Sequence, residues 1–229
     1  MTPIPFEPVV ERIDEIPINP QLFYFLGVMR DGTLPIVYDG HYEISVAQKN
    51  PEFLKMVKTI FIETLKINEN KIRIKIDKNT PRIVVYNKKL YSFLKELKVG
   101  DGDVEPIVFK YPQFWKWYVR GFFDAEGEIA HVEKYLAGIT KTFPQPRILI
   151  HQASKNEKEC KALVELKKII ESLGVKCGNI LGPKRNVNTY DFDLMIYGIK
   201  NVENFYSLIG TSHIEKNLRF NLLLKLYSQ

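Results

Sequence analysis

The sequence predicts an α+β protein of two pseudo-symmetric αββαββα repeats, with one apolar helix from each repeat paired at the centre and an antiparallel sheet from each beside it. Two observations carry that prediction. Residues 19–32 and 112–127 follow one pattern: each has Pro-Gln near its start (Pro20-Gln21, Pro112-Gln113), an apolar helix with one glycine (Gly27, Gly121), and an acid followed by glycine (Asp31-Gly32, Glu126-Gly127). Downstream, Ala47-Gln48-Lys49-Asn50 recurs as Ala153-Ser154-Lys155-Asn156, and Lys88-Lys89 recurs approximately as Ile199-Lys200, so the later elements repeat in the same order. The expected boundaries are a first repeat with an N-terminal extension over 1–99, a linker over 100–111 marked by Gly100, Gly102 and Pro106, and a second repeat over 112–229.

Each element has a local reason. Asn19 suits the N-cap of a helix over Pro20–Asp31, Pro20 suits its first position, and Gly32 stops it. Thr33 to Gln48 reads as two extended runs turning at Asp39-Gly40. Pro51 to Leu65 has helical periodicity, Lys71 to Ile76 alternates in the period of a strand with Ile72, Ile74 and Ile76 facing the core, Pro81 breaks the run, Arg82 to Tyr86 reads as the partner strand, and Leu90 to Leu97 as a short helix. The second repeat is expected to follow with a helix to Glu126, extended runs over Glu128–Leu136 and Arg147–Gln152, a helix over Asn156–Leu173, strands over Val175–Leu181 and Tyr190–Tyr197, and helices over Val202–Leu208 and Ile214–Leu226.

At 229 residues and 45% hydrophobic content the chain can bury one large core or two small fused ones. No apolar run approaches the roughly 18 residues that cross a bilayer, and the start from Met1 to Pro17 is acidic and broken by prolines, unlike a signal peptide. A soluble, intracellular protein without a membrane partner is expected. Cys160 and Cys177 form neither a CxxC nor a His/Cys cluster, which argues against a disulfide framework or a zinc site. The net charge of +6 is concentrated: Lys66, Lys71, Arg73, Lys75, Lys78, Arg82, Lys88, Lys89, Lys95 and Lys98 stand against Glu69, Asp77 and Glu96. Focused positive potential suits a polyanion, most often nucleic acid, because each neutralised phosphate releases condensed counterions.

If the two apolar helices pack side by side, Asp31 and Glu126 come together at helix C-termini, where the dipole disfavours a carboxylate. Two such acids repel, so either one takes up a proton or a divalent cation neutralises both. Oxygen donors of this kind suit Mg²⁺, which shares substrate phosphates, so the pattern implies metal-assisted phosphodiester hydrolysis. Lys49 and Lys155 offer positive charge to a transition state and Gln48 can orient a water. Asp124, two residues before Glu126, points elsewhere and fits a structural hydrogen bond. The sheets offer a cationic face, with Ser45, Lys71, Arg73, Lys75, Arg82, Arg147 and His151 as candidate nucleic-acid contacts, Asp191 and Asp193 as acceptors for cytosine or partners for arginine, and Lys184 and Arg185 in a turn near phosphates. Two sheets with strands of about 8 residues span roughly 50 Å, on the order of 15 base pairs.

The run Val119-Arg120-Gly121-Phe122-Phe123-Asp124-Ala125-Glu126-Gly127 resembles the LAGLIDADG signature, and nearly the whole chain resembles a single-chain, two-repeat LAGLIDADG homing endonuclease. The resemblance implies a fold with its antiparallel sheets forming a DNA-binding saddle. It implies that Asp31 and Glu126 bind Mg²⁺ (or Mn²⁺, with Ca²⁺ binding without supporting cleavage), that Gln48, Lys49 and Lys155 surround them, and that Lys89 and Lys200 are weaker catalytic candidates. It further implies a monomer acting on double-stranded DNA at a long asymmetric site, leaving short 3′ overhangs, encoded within an intron or intein. The same scaffold serves RNA maturases, with intron RNA as partner, and DNA binders that do not cut. One departure stands out: Asp31 follows its glycine by four residues, Glu126 by five. If the acids align, Gly27 is not expected to match Gly121.

Overall fold

The first helix, α1 (Pro20–Val28), follows a short antiparallel pair, β1 (Glu11–Ile13) and β2 (Ile16–Ile18). Its start is as expected: the Asn19 side chain accepts from the Leu22 N–H at 2.9 Å, with Pro20 at the first position. The same device recurs at α2 (Pro51–Glu63), where Asn50 accepts from Phe53 N–H at 3.0 Å, and at α3 (Lys88–Glu96), where Asn87 accepts from Leu90 N–H at 2.9 Å. Between them run β3 (Glu43–Ala47), β4 (Ile72–Asp77) and β5 (Thr80–Tyr86). Then come α4 (Pro106–Lys110), α5 (Trp115–Glu126), β6 (Gly127–Ile129), α6 (Val132–Leu136), β7 (Arg147–Ser154), α7 (Lys161–Ser172), β8 (Ile180–Arg185), β9 (Tyr190–Tyr197), α8 (Ile199–Leu208) and α9 (Ile214–Tyr227). The computed structural model describes residues 11–13, 16–35, 42–130, 132–139, 141 and 144–227.

Two compact units divide these residues, the first ending at Ala125 and the second beginning at Glu126. In the first, an antiparallel sheet runs β3-β5-β4, and Thr33 bridges Ser45 at the outer edge of β3 through N–H···O bonds of 2.8 and 3.1 Å. The second unit has four antiparallel strands in the order β6-β7-β9-β8. Thr33 therefore stands where β6 stands, and the two sheets share one strand order. The expected turn at Asp39-Gly40 lies outside the described residues. In the first unit Ile44, Val46, Ile83 and Val85 are buried, as are Phe53, Val57, Ile60 and Phe61 of α2, which packs on β5. In the second, Ile148, Ile150, Leu194 and Ile196 are buried, as are Leu163, Leu166 and Ile170 of α7, which packs on β9.

Several expectations need correction. Residues 128–136 are not one extended run: β6 stops at Ile129 and Val132–Leu136 is helical. The helix expected from Asn156 starts at Lys161, because Ser154 Oγ accepts from Asn156 N–H and Asn156 Oδ1 from Lys158 N–H, two local bonds that compete with helix. The strand expected over 175–181 is β8, which begins at Ile180 and takes Lys184 and Arg185 out of a turn and into the sheet. Pro81 sits inside β5, its carbonyl accepting from Gln48 N–H at 3.0 Å. Ile74 and Ile76, on the outer strand of the sheet, do not face a core: they are 65% and 75% exposed.

Thr211, Ser212 and His213 are buried ahead of α9. Burial, aided by Lys216 and Arg219 and opposed by Glu215, pushes the His213 imidazole down to about 4. An unfolded histidine titrates near 6.5, so from about pH 6.5 down to 4 the unfolded chain binds a proton that the folded one refuses. Stability contributed by neutral His213 is complete above about pH 6.5 and falls as pH drops to 4, by up to about 3 kcal/mol. In urea melts across this range His213→Gln is expected to show a shallower acid-side loss than wild type; equal slopes would show that His213 is not the titrating group.

Candidate nucleic-acid interface and acid-bearing helix pair

Within the first unit α1 and α5 cross on their glycines. A Cβ built on Gly27 would strike the Tyr118 carbonyl oxygen and come 2.6 Å from Phe122 N; one on Gly121 would strike the Tyr24 carbonyl oxygen and come 3.1 Å from Val28 N. The contact is reciprocal, since Tyr24 and Tyr118 each stand three residues before their own glycine. Gly27 and Gly121 are thus equivalent, against the expectation that alignment of the acids would separate them. The missing residue falls after the crossing. There α1 ends, and Arg30, Asp31 and Gly32 donate N–H bonds to Gly27, Val28 and Met29, each three residues back, in the tighter winding of a 3-10 turn. On α5 the α-helix continues to Glu126.

Winding accounts for the difference in count. A 3-10 turn rises about 2.0 Å per residue against about 1.5 Å in an α-helix, so four residues on the first motif advance about 8 Å and five on the second about 7.5 Å. Asp31 is exposed and Glu126 partly so. Asp124 is fully buried and accepts from the Tyr24 hydroxyl at 2.8 Å, the structural hydrogen bond expected of it.

Arg30, which the sequence reading overlooked, is equally anchored. Its guanidinium donates to the Asp103 carbonyl at 2.7 Å and the Gly102 carbonyl at 3.2 Å, pairs with Glu105 at 3.4 Å, and lies 5.5 Å from the Phe122 ring centroid. Glu105 is fully buried; burial raises its carboxyl and the Arg30 charge works the other way. The only sequence signal was a charged residue inside an otherwise apolar motif.

On the first sheet Lys71, Arg73 and Lys75 are exposed. Lys75 Nζ donates to the Tyr86 hydroxyl at 2.7 Å, which donates to Glu43 at 2.8 Å, and Arg82 pairs with Asp77 at 3.4 Å. Ser45 is only 2% exposed, so its side chain is not on a solvent face. Lys49 is exposed, while the Gln48 carboxamide oxygen accepts from Lys49 N–H at 2.9 Å. Lys89 lines a cavity of about 140 Å³ with Ile16, Leu65, Lys66, Ile67, Asn87 and Leu90.

The second sheet carries a row of charge across all four strands. His151 Nδ1 lies 2.6 Å from Asp193 and its Nε2 3.5 Å from Glu128, while Lys184 Nζ donates to Asp193 at 3.1 Å. Burial would raise the Asp193 carboxyl, but the bonds from His151 and Lys184 outweigh it and hold it below the usual carboxylate range. Asp191 accepts from the Asn186 side chain at 3.2 Å, and Arg147, Arg185, Lys155 and Lys200 are exposed.

No protein-family model and no curated protein matches this chain. Solved structures do. The homing endonuclease I-DmoI in complex with DNA and Ca superposes with a TM-score of 0.61 at 20% identity, covering 88% of this chain and 97% of that one. The LAGLIDADG meganuclease I-AabMI bound to uncleaved DNA gives 0.53 at 14%, covering 92% of each chain. The N-terminal LAGLIDADG domain of DUF199/WhiA gives 0.54 at 16%, covering 86% of each. The chain has the LAGLIDADG fold. At these identities the likeness is one of architecture.

Asp31 is exposed and Glu126 partly so, and carboxylates are a donor type that fits a Mg²⁺ ion keeping several waters. Among the described residues there is no cluster of three His, Cys, Asp or Glu poised to hold a metal. The crossing itself is directly testable. Gly27→Ala or Gly121→Ala places a methyl against backbone that cannot move aside, and each is expected to lower the urea-unfolding free energy by about 1–3 kcal/mol; a change below about 0.5 kcal/mol would mean that the helices do not meet there.

Proposed function

We propose that this chain is a site-specific double-strand DNA endonuclease that hydrolyses phosphodiesters with a divalent cation. The observation carrying the proposal is the glycine-on-carbonyl crossing of two helices whose motifs each finish in an acid, in a fold whose solved neighbours include I-DmoI in complex with DNA and Mn and with DNA and Ca. Asp31 and Glu126 would hold Mg²⁺ or Mn²⁺, with Ca²⁺ binding but not supporting cleavage. When bound, the cation supplies Lewis acidity at the scissile phosphate. Lys49 and Lys155, both exposed just after the ends of β3 and β7, would place positive charge at the same phosphates, Gln48 would orient water, and Lys200 and Lys89 are secondary.

Lys71, Arg73, Lys75, Arg82, Arg147 and Arg185 would contact DNA from the sheets, and His151, Lys184, Asp191 and Asp193 would present a pre-bonded polar row to base edges. The target would be long and asymmetric, cut with short 3′ overhangs by a monomer inside the cell. A reading without cleavage, on DNA or on intron RNA, draws on one feature, the shortened first motif.

Incubation with a library of intronless DNA and Mg²⁺, followed by sequencing of the ends, is expected to give one dominant break with 3′ overhangs; retention of DNA or RNA without any break would favour the binding-only reading. At the site so found, Asp31→Asn and Glu126→Gln are each expected to abolish cleavage and leave DNA affinity within about threefold. Near wild-type cutting by either variant would remove that acid from the metal site. DNA affinity is also expected to fall by about 10³-fold between 50 and 200 mM salt, as for about six phosphate contacts; an affinity indifferent to salt would exclude the cationic sheets as the contact surface.

A further inference from the structure

We infer that Arg30 is the positioning residue for Asp31: anchored on Glu105 and on the carbonyls of Gly102 and Asp103, it holds the shortened first motif in a 3-10 turn and thereby brings Asp31 as far past the crossing as Glu126 lies on α5. The inference rests on the reading of these two acids as cation ligands.

Three observations converge. The glycines are equivalent by their reciprocal contacts, so the one-residue deficit lies between Gly27 and Asp31. That interval carries successive bonds to the third residue back, whose geometry is poorer than that of an α-helix, so a side-chain anchor there fixes its course. The support available is Arg30, directly before Asp31, whose side chain is 4% exposed against a Glu105 that is wholly buried. A planar guanidinium fork reaches two carbonyls and a carboxylate at once, which a lysine ammonium cannot do with the same fixed geometry.

The second motif treats the corresponding position in the same spirit. Three residues past Gly121 is Asp124, buried and bonded to Tyr24, just as Arg30 is three past Gly27, buried and bonded to residues 102–105. Each motif thus pins its last turn with a buried polar side chain, but only the first must pin a turn that departs from α winding. Buried ion pairs are poor sources of net stability and good sources of fixed geometry, which suits a positioning role.

Iron-directed backbone scission tests this without requiring cleavage of DNA. With Fe²⁺ replacing Mg²⁺ in the presence of ascorbate and peroxide, the full chain is expected to be cut near residues 31 and 126, mapped by mass spectrometry. The ratio of the two is the readout. Arg30→Met with Glu105→Gln, which removes both charges together and orphans neither, is expected to lower the ratio at 31 relative to 126 by about tenfold. Arg30→Lys, which keeps charge and fold but not the fork, should lower it by about threefold. A merely structural role would lower both sites together. An unchanged ratio in Arg30→Lys and in the double variant, or in Arg30→Lys alone if the double variant does not fold, overturns the inference. Wild-type protein uncut near both residues overturns the cation-ligand reading, and this inference with it.

Discussion

The structure depends on a contact that contains no side chain on one side: the Gly27 and Gly121 main chains rest on the carbonyls of Tyr118 and Tyr24. With no Cβ at either point, the separation of α1 and α5 is set by backbone against backbone, and close-packed interiors leave little room for either to slide. Much follows from that register. The Tyr24 hydroxyl reaches Asp124, and the Arg30 guanidinium comes to lie by the Phe122 ring, only because the helices cross where they do.

Beyond the crossing the two motifs part company. One finishes in α winding and the other in 3-10 winding, and the difference in rise per residue absorbs a difference in length that a sequence alignment can show only as a gap. The match between the motifs is thus kept at the backbone crossing, where packing enforces it, and relaxed in residue count beyond it.

The sheets differ in chemistry while sharing a strand order. Cross-strand partners Ser45 and Val84 in the first unit stand at the place that His151 and Asp193 occupy in the second. The first pair is buried, and the cations of β4 project from a strand with no neighbour beyond it. The second pair is tied to Glu128 and Lys184 in a row whose members hold one another's geometry. One surface carries exposed cations on its outer strand, with Lys75 bonded to Tyr86, and the other a connected array of donors and acceptors.

Much was local and therefore legible in the amino-acid order: the Asn19 cap, the glycine-to-acid motif, and most of the strand and helix order, all set by neighbours within a few positions. What escaped was decided by distant partners. The alternation of Lys71 to Ile76 names a strand but cannot say that Ile74 and Ile76 are left in solvent. Serine at 45 says nothing of its burial, and arginine at 30 says nothing of a glutamate 75 residues away. Short-range preference determines what each segment becomes; only the folded packing determines which face is covered, which charge is paired, and how a motif one residue short is still brought to its end.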